Sequence, residues 1–432
     1  MKKLIVLVLV LALALTCALP AFAADHEAAA EDLKSMDLFR GTDKGFELER
    51  APTRLEAAAM LVRLLGKEDE AITQYQADMI SHPFTDVPDW AAPYVAWLYS
   101  NGLTKGVSSD TFGTMDCSAQ MYCTFMLRTL GYTEEAGDFT YDAALDKSEE
   151  LGLCDPLLLS EDFHRDQVVA VSYQALGTPV KGEDTLLAEK LVAEGALAEA
   201  AVSDFLTRAK LCQQFNEAMA ASDAYDALAM RMTSDTLSTD GTESAQVTMV
   251  MDVTARYQDT LEMAITGTMT LPGGQEAPFG YWIKDDTFYL SDGEQNVKMP
   301  LSQANMTTLP AVNGSSESSG LALYMIRDIT RDANGTYTVD LSDYLAELFR
   351  TSLQGTDSAG TVEDLSAILT VSFDEAGLIR ELGIDMDMTM TVEGTSIRST
   401  TDLTADLTAW GDEVTVTFPD LTVFTDADSR EL

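Results

Sequence analysis

Three stretches between about residues 28 and 177 finish alike, and this recurrence limits the fold more than any other feature of the 432-residue chain. Pro52-Thr53-Arg54-Leu55-Glu56 opens an apolar run closing at Leu64-Leu65-Gly66. Cys117-Ser118-Ala119-Gln120-Met121 opens a second, closing at Leu130-Gly131-Tyr132, and Phe163-His164-Arg165-Asp166-Gln167 a third, closing at Ala175-Leu176-Gly177. Apolar residues recur at helical spacing over roughly three turns in each. Thr53, Ser118 and the Asp162/His164 region supply caps at the starts, and glycine stops the ends. Shorter helical stretches with glycine-bearing loops precede them, at Leu33–Gly41, Phe84–Gly106 and Phe139–Leu153. One helix–loop–helix pair cannot bury both apolar faces, so three copies are expected to pack on one another. The prediction is an all-α bundle over residues 24–180, with repeats at about 28–66, 82–132 and 138–177.

Phe84-Thr85-Asp86-Val87-Pro88, Trp90-Ala91, Gly102 with Gly106, Phe112-Gly113 and Arg128-Thr129-Leu130-Gly131-Tyr132 follow one another in the middle stretch. In this order and spacing they resemble the S-layer homology domain. The resemblance implies a three-repeat, pseudo-threefold helical prism that binds secondary cell wall polysaccharide, often pyruvylated, on Gram-positive-type envelopes. It also implies the binding residues: Arg54 and Glu56 in Thr53-Arg54-Leu55-Glu56, Arg165 in the third repeat, and Asp86, Trp90, Gly102 and Gly106 in the second. A guanidinium at a helix start can grip a ketal carboxylate bidentately while main-chain N–H groups add donors. Such a charge-assisted contact is worth about 1.5–3 kcal/mol. The third repeat has His164 and Gln167 where Thr and Glu stand in the first, and the second has Ala119 and Met121 where Arg and Glu stand. Two working grooves at most are expected. The same residues also have purely helical uses: Thr53 and Glu56 form a capping box, Asp86 can cap, and the aromatics can fill a core.

Charge narrows the partners. Lys and Arg number 27 against 71 Asp and Glu, a net charge of -44 that repels nucleic acid and anionic lipid alike. Residues 25–180 carry 11 basic and 28 acidic side chains, but a Debye length of about 8 Å at physiological salt lets local arginines act on an acidic glycan. Lys2 and Lys3 before the apolar run Leu4–Leu15, then Ala21-Phe22-Ala23, read as a signal peptide over 1–23 with Ala24 the first mature residue. Cys17 follows Ala14-Leu15-Thr16, a poor lipidation site, and no later stretch approaches the about 20 apolar residues of a membrane span. The expected location is the cell wall and surface of a Gram-positive-type bacterium, with non-covalent retention.

Cys117, Cys123, Cys154 and Cys212 form no CxxC pair and lie near no histidine at zinc-ligand spacing. They read as buried thiols, with a Cys117–Cys123 bridge as the alternative. No metal and no cofactor is expected. His26, His82 and His164 are the only histidines, and HExxH, GxSxG and P-loop patterns are absent. Nothing singles out a nucleophile, a base or a carboxylate pair, so the chain is read as non-catalytic.

Residues 181–240, rich in Ala, Leu and Glu, are predicted as a helical connector and the opening helix of the next domain, its last helix spanning about Asp204–Met232. Period-two alternation then takes over in Gln246–Val253, Leu261–Met269, Gly280–Lys284, Thr287–Leu290 and Asn296–Met299. A hairpin at Asn334-Gly335, a helix at Leu341–Leu353 and strands at Leu365–Phe373, Leu378–Val392, Thr395–Leu407 and Val414–Phe418 complete the prediction. Fold class is therefore α+β multidomain, with an antiparallel sheet over 241–432. Gly280-Tyr281-Trp282-Ile283-Lys284, Val297-Lys298-Met299-Pro300 and Trp410 through Pro419 resemble lipoprotein-carrier-like (LolA-like) domains, which implies a curved half-barrel around a helix and an apolar groove. Strand methionines such as Met386, Met388 and Met390 suit such a groove or an ordinary core. Two functions follow: a wall-anchored surface protein, or an exported carrier or sensor of an apolar ligand tethered by the repeats.

Overall fold

The computed structural model describes residues 26–154, 159, 163–222, 224–257, 260–303, 320–346, 360–392 and 395–426. The expected signal peptide and Cys17 lie outside these residues. The chain divides into two compact units, one of residues 25–212 with 321–325, the other of 213–320 with 326–432.

The first unit is helical, with α1 (Glu27–Ser35), α2 (Arg54–Leu64), α3 (Glu68–Gln76), α4 (Ala92–Ser100), α5 (Ala119–Thr129), α6 (Ala144–Glu150), α7 (Arg165–Leu176) and α8 (Leu187–Ala193). The three recurrent stretches become α2, α5 and α7, and Thr53, Ser118 and His164 occupy their N-cap positions. All three are apolar around most of their circumference, the mark of helices buried on several sides. Ala57, Ala58, Leu61 and Val62 of α2, Tyr122, Cys123, Met126 and Leu127 of α5, and Val169, Ala170 and Val171 of α7 have no exposed surface. Removing one such Leu or Val side chain from water contributes about 1.5–3 kcal/mol. The Tyr122 hydroxyl and Ser172 Oγ, 2.6 Å apart, satisfy each other where α5 meets α7. A final helix, α9 (Glu199–Ser222), contains the point where the two units divide.

The second unit is built on a mixed sheet of twelve strands: β1 (Ala227–Thr239), β2 (Ser244–Tyr257), β3 (Leu261–Thr270), β4 (Glu276–Lys284), β5 (Thr287–Ser291), β6 (Asn296–Pro300), β7 (Asp328–Arg331), β8 (Tyr337–Asp340), β9 (Gly360–Phe373), β10 (Ile379–Val392), β11 (Thr395–Trp410) and β12 (Thr425–Asp426). The order is β12-β6-β5-β4-β3-β2-β1-β11-β10-β9-β8-β7. Strands β1 to β6 form one meander and β7 to β11 another, joined by β1 against β11, where Thr236 faces Thr401.

Four sequence expectations need correction. Residues 227–239, assigned to a helical connector, form β1: Ala, Leu and Met favour helix, but Leu228, Met230, Met232 and Ser234 are buried alternately with exposed Arg231 and Thr233. Tertiary packing overrides propensity here. Residues 181–212 belong with the first unit, so the division falls near 212 instead of 180. Val414–Phe418 is not a strand; Val416 and Phe418 pack irregularly against Trp282 and Phe424. The sheet is not wholly antiparallel, because β12 joins β6 in parallel, Thr425 beside Val297. Of the helix expected at Leu341–Leu353, residues 342–346 are helical and 347–353 lie outside the described residues.

Candidate functional site

Arg54, Glu56 and Arg165 stand at helix starts. At α2, Thr53 Oγ1 accepts from the Glu56 N–H at 3.2 Å, and Glu56 Oε2 accepts from the Thr53 N–H at 2.8 Å. Glu56 also takes two bonds from Arg50, at 2.8 and 3.1 Å. Burial works to raise the Glu56 pKa, but Arg50 and Thr53 outweigh it and hold the carboxyl below the usual glutamate value. The capping box predicted from the sequence is therefore present, closed by an additional arginine.

The next residue, Arg54, is fixed by main chain and side chain together. Its N–H donates to Met115 O at 2.9 Å, and the Cys117 N–H donates to Pro52 O at 2.8 Å, zipping the start of α2 to the lead-in of α5. The guanidinium lies between the rings of Phe112 and Phe125, 4.9 and 5.0 Å from their centroids, and its Nε donates to Phe112 O at 3.0 Å. Asp86 holds the same loop from its other side, its two carboxylate oxygens accepting from the Phe112 and Gly113 N–H groups at 2.8 Å each. Those two bonds overcome partial burial and depress the Asp86 pKa.

A second copy of this arrangement occurs at α7. The Arg165 N–H donates to Arg50 O at 2.9 Å, its Nε to Phe46 O at 2.8 Å and its Nη2 to Arg40 O at 3.4 Å, while the guanidinium faces the Phe39 ring at 5.2 Å. Nη1 is 3.5 Å from the sulfur of Met60, which stands seven residues beyond its N-cap as Phe125 does beyond Ser118. Arg54 and Arg165 are 6% and 4% exposed, and burial holds both pKa values below the ordinary arginine value. Among the described residues neither forms an ion pair with a carboxylate.

At α5 the corresponding residue is Ala119, which has no side chain to reach across. Beside it opens a cavity of about 440 Å³, lined by Ala51, Asp116, Cys117, Ala119, Phe163 and His164 among others. The lead-ins of α2, α5 and α7 therefore all contribute to one space. Desolvation pushes the Cys117 thiol up to about 12, so it contributes shape and no charge. Polar groups on the cavity wall include Asp116, Gln120 and the His164 side chain.

The remaining predicted residues separate by role. Trp90 is 52% exposed. Gly102 ends α4 at φ +74°, its N–H donating to Tyr99 O at 3.1 Å, a left-handed closure that favours glycine. Gly106 is required sterically: a Cβ there would lie 2.3 Å from Phe84 Cε1 and 2.7 Å from Thr111 O. Both glycines shape the loop that carries Phe112. Phe112 was expected from its place in the motif, as a core aromatic or a ligand contact, whereas Arg50 and Asp116 escaped sequence reasoning, because their main-chain and cavity contacts involve other helix–loop units.

The loop organised by Asp86, Gly106 and Phe112 is the segment with a recognisable relative. Residues 83–114 match the S-layer homology domain. The S-layer homology match contains Asp86, Trp90, Gly102, Gly106 and Phe112, and the stretches carrying Arg54, Glu56 and Arg165 flank it. The "Middle cell wall protein" of Brevibacillus brevis is 29% identical over 170 residues, covering 35% of this chain and 16% of that protein. A crystal structure from Nitrosomonas europaea described as AttH aligns at 9% identity over 46% of this chain and 54% of its own, with a TM-score of 0.16. A Vibrio parahaemolyticus domain described as an outer membrane lipoprotein-sorting protein aligns at 11% identity over 49% and 93%, with a TM-score of 0.17. No helix among the described residues is long and apolar enough to cross a membrane.

Proposed function

We propose that this chain is a non-catalytic cell-surface protein held to a Gram-positive-type cell wall by three S-layer homology repeats that bind secondary wall polysaccharide. The S-layer homology match and the cell wall relative support a surface, wall-anchoring role. The observation that carries the finer reading is the pair of buried guanidiniums, Arg54 and Arg165. Each is bonded to main-chain carbonyls and, among the described residues, to no carboxylate. A buried charge without an opposite charge is costly, and an acidic substituent on a glycan, such as a pyruvate ketal, would offset that cost. Arg54 and Arg165 are the grips, Asp86 positions the Phe112 loop beside Arg54, exposed Trp90 offers a stacking face for a sugar ring, and the Ala119 cavity is a groove without a grip.

Sedimentation with purified wall sacculi tests this reading on the full chain. Binding is expected with intact sacculi and is expected to fall at least tenfold for Arg54→Lys, provided circular dichroism shows the variant folded. Equal binding to sacculi stripped of secondary polysaccharide would overturn it.

The apolar-carrier reading gains less support from the second unit. Met386 packs with Val362, Leu365, Ala367 and Ala346, and Met388 lies against the same cluster, which makes these methionines core filling.

A further inference from the structure

Asp166 follows Arg165 at the start of α7 and is 3% exposed. The corresponding residue is Leu55 in α2 and Gln120 in α5, so a buried carboxylate at this place belongs to the third recurrent stretch alone. A carboxylate out of water needs partners, and Asp166 takes them from one residue. The His26 N–H donates to Asp166 Oδ1 at 2.6 Å, and His26 Nδ1 stands 2.7 Å from Oδ2. His26 is 4% exposed and occupies the N-cap position of α1. From the other side, Leu48 O accepts from the Asp166 N–H at 3.0 Å, beside the bond from the Arg165 N–H to Arg50 O. The first turn of α7 is thus held between the Phe46–Arg50 loop and His26.

His26 is seated in turn by a segment far away in sequence. Its ring stands at 88° to that of Tyr324, with centroids 4.9 Å apart, and its Nε2 is buried without a hydrogen-bond partner among the described residues. Tyr324 lies on a single 3-10 turn, Leu323–Met325. Residues 321–325 belong to the helical unit, although the chain on both sides of them belongs to the other. Leu323 is fixed to α7, its N–H donating to Gln174 Oε1 at 2.7 Å. Gly177 leaves room for the same segment: a Cβ there would lie 2.9 Å from Leu323 Cδ2. The Tyr173 hydroxyl, donating to Asp32 Oδ2 at 2.6 Å, ties α7 to α1 a second time.

We propose that His26 and Tyr324, both outside the helix–loop–helix repeats, are positioning residues for the Arg165 grip. The proposal rests on the reading of Arg165 as a ligand-binding guanidinium. Without His26 the Asp166 carboxylate is buried and unpaired, and the first turn of α7 must move to bring it to water. Such a shift breaks the bond from Arg165 Nε to Phe46 O and the contact with the Phe39 ring. Tyr324 acts one step further out, by keeping the imidazole against Asp166. The Arg54 grip has no counterpart of this device, since Leu55 stands where Asp166 does.

The test is a double-mutant cycle on the full chain, read by sedimentation with purified wall sacculi on protein shown to be folded by circular dichroism. With Arg54→Lys in place, so that Arg165 is the remaining native grip, His26→Ala should weaken binding about fivefold. Tyr324→Ala should act in the same direction. His26→Asn, which keeps an N–H donor near the place of Nδ1, and Tyr324→Phe should restore most of the binding. With Arg165→Ala in place, His26→Ala should add no further loss. An equal loss with and without Arg165, or no loss in either background, overturns the proposal. A ligand-free readout is the Nε resonance of Arg165 in nitrogen-15 NMR, assigned by its absence in Arg165→Ala. It should move in His26→Ala while that of Arg54 stays, and an unmoved Arg165 resonance also overturns the proposal. If His26→Ala does not fold, Tyr324→Ala carries the same two readouts. If neither arginine substitution changes sacculus binding, the grip reading fails by itself, and the Arg165 resonance alone decides whether His26 positions that side chain.

Discussion

The starts of α2 and α5 follow the same plan and differ at two positions, Arg54 against Ala119 and Glu56 against Met121, of which the first leaves the larger gap. At α2 a guanidinium crosses to the neighbouring loop, fills the gap between Phe112 and Phe125 and bonds the Phe112 carbonyl. At α5 Ala119 leaves the corresponding reach unfilled, and a cavity of about 440 Å³ lies beside it. The contrast shows that the arginine is a packing element, besides the grip proposed for it. It seals a junction between helix–loop units while keeping its charge unspent, so loss of the arginine should affect stability and ligand binding together.

The largest effect expected is that of Arg54→Ala. One charge-assisted bond and two ring contacts disappear from a buried site, about 3 kcal/mol in all, read as a lower melting temperature of the helical signal. An unchanged melt would show that the Arg54 and Ala119 junctions are energetically alike and would break the comparison. Arg165→Ala should cost a similar amount.

A smaller effect should come from Asp86→Asn, which weakens the two bonds holding the Phe112 loop and should cost about 1 kcal/mol. The loss should be non-additive with Arg54→Ala, since both residues act on one peptide; strict additivity in a double-mutant cycle would separate them.

Ala119→Arg sharpens the comparison from the other side. If the α5 junction can accept the side chain found at α2, the variant should fold with a stability change within about 1 kcal/mol and a closed cavity. A cost of about 1–3 kcal/mol from overpacking would show that the junction has drifted.

Acid titration probes a feature the two helices share. Arg63 pairs with Glu68 at 2.8 Å and Arg128 with Glu134 at 2.5 Å, each arginine ten residues beyond its N-cap. The Arg128 guanidinium holds Glu134 at about 2. A depressed carboxylate pKa stabilises the fold above the unfolded value, near 4.5, and that contribution is lost as pH falls toward 2. Glu134→Gln should therefore flatten the acid limb of the stability curve over that interval.

The smallest effect belongs to the sheet, where Asp385 faces Asp402 across β10 and β11. Burial and the neighbouring carboxyl raise the Asp385 pKa. Asp385→Asn should stabilise at neutral pH by a few tenths of a kcal/mol after solvent screening, with the gain vanishing at low pH, where the acid is already protonated.

Helix starts were legible because caps and glycine stops are local: Thr53, Ser118, Gly66 and Gly131 announce themselves. The identity of Arg54 was legible too, from its place in Thr53-Arg54-Leu55-Glu56. Its burial was not, since the carbonyl and ring that hold it come from Phe112, 58 residues away. The cavity was foreshadowed by Ala119 alone. Alternation marked β2, β3 and β10 well, whereas β1 was hidden by Ala227, Leu228, Ala229, Met230 and Met232, residues equally at home in a helix. Only pairing with β2 and β11 decides that segment.

That last pairing sets a schedule. The first meander is complete by Pro300, but the far side of β1 stays unmatched until residues 395–410 have been made and delivered. Until then a row of thirteen residues offers open hydrogen-bonding groups to any passing strand. Joining the two meanders is a long-range event that comes late and slowly, so the assembling sheet is most vulnerable to aggregation while it waits for its own C-terminal third.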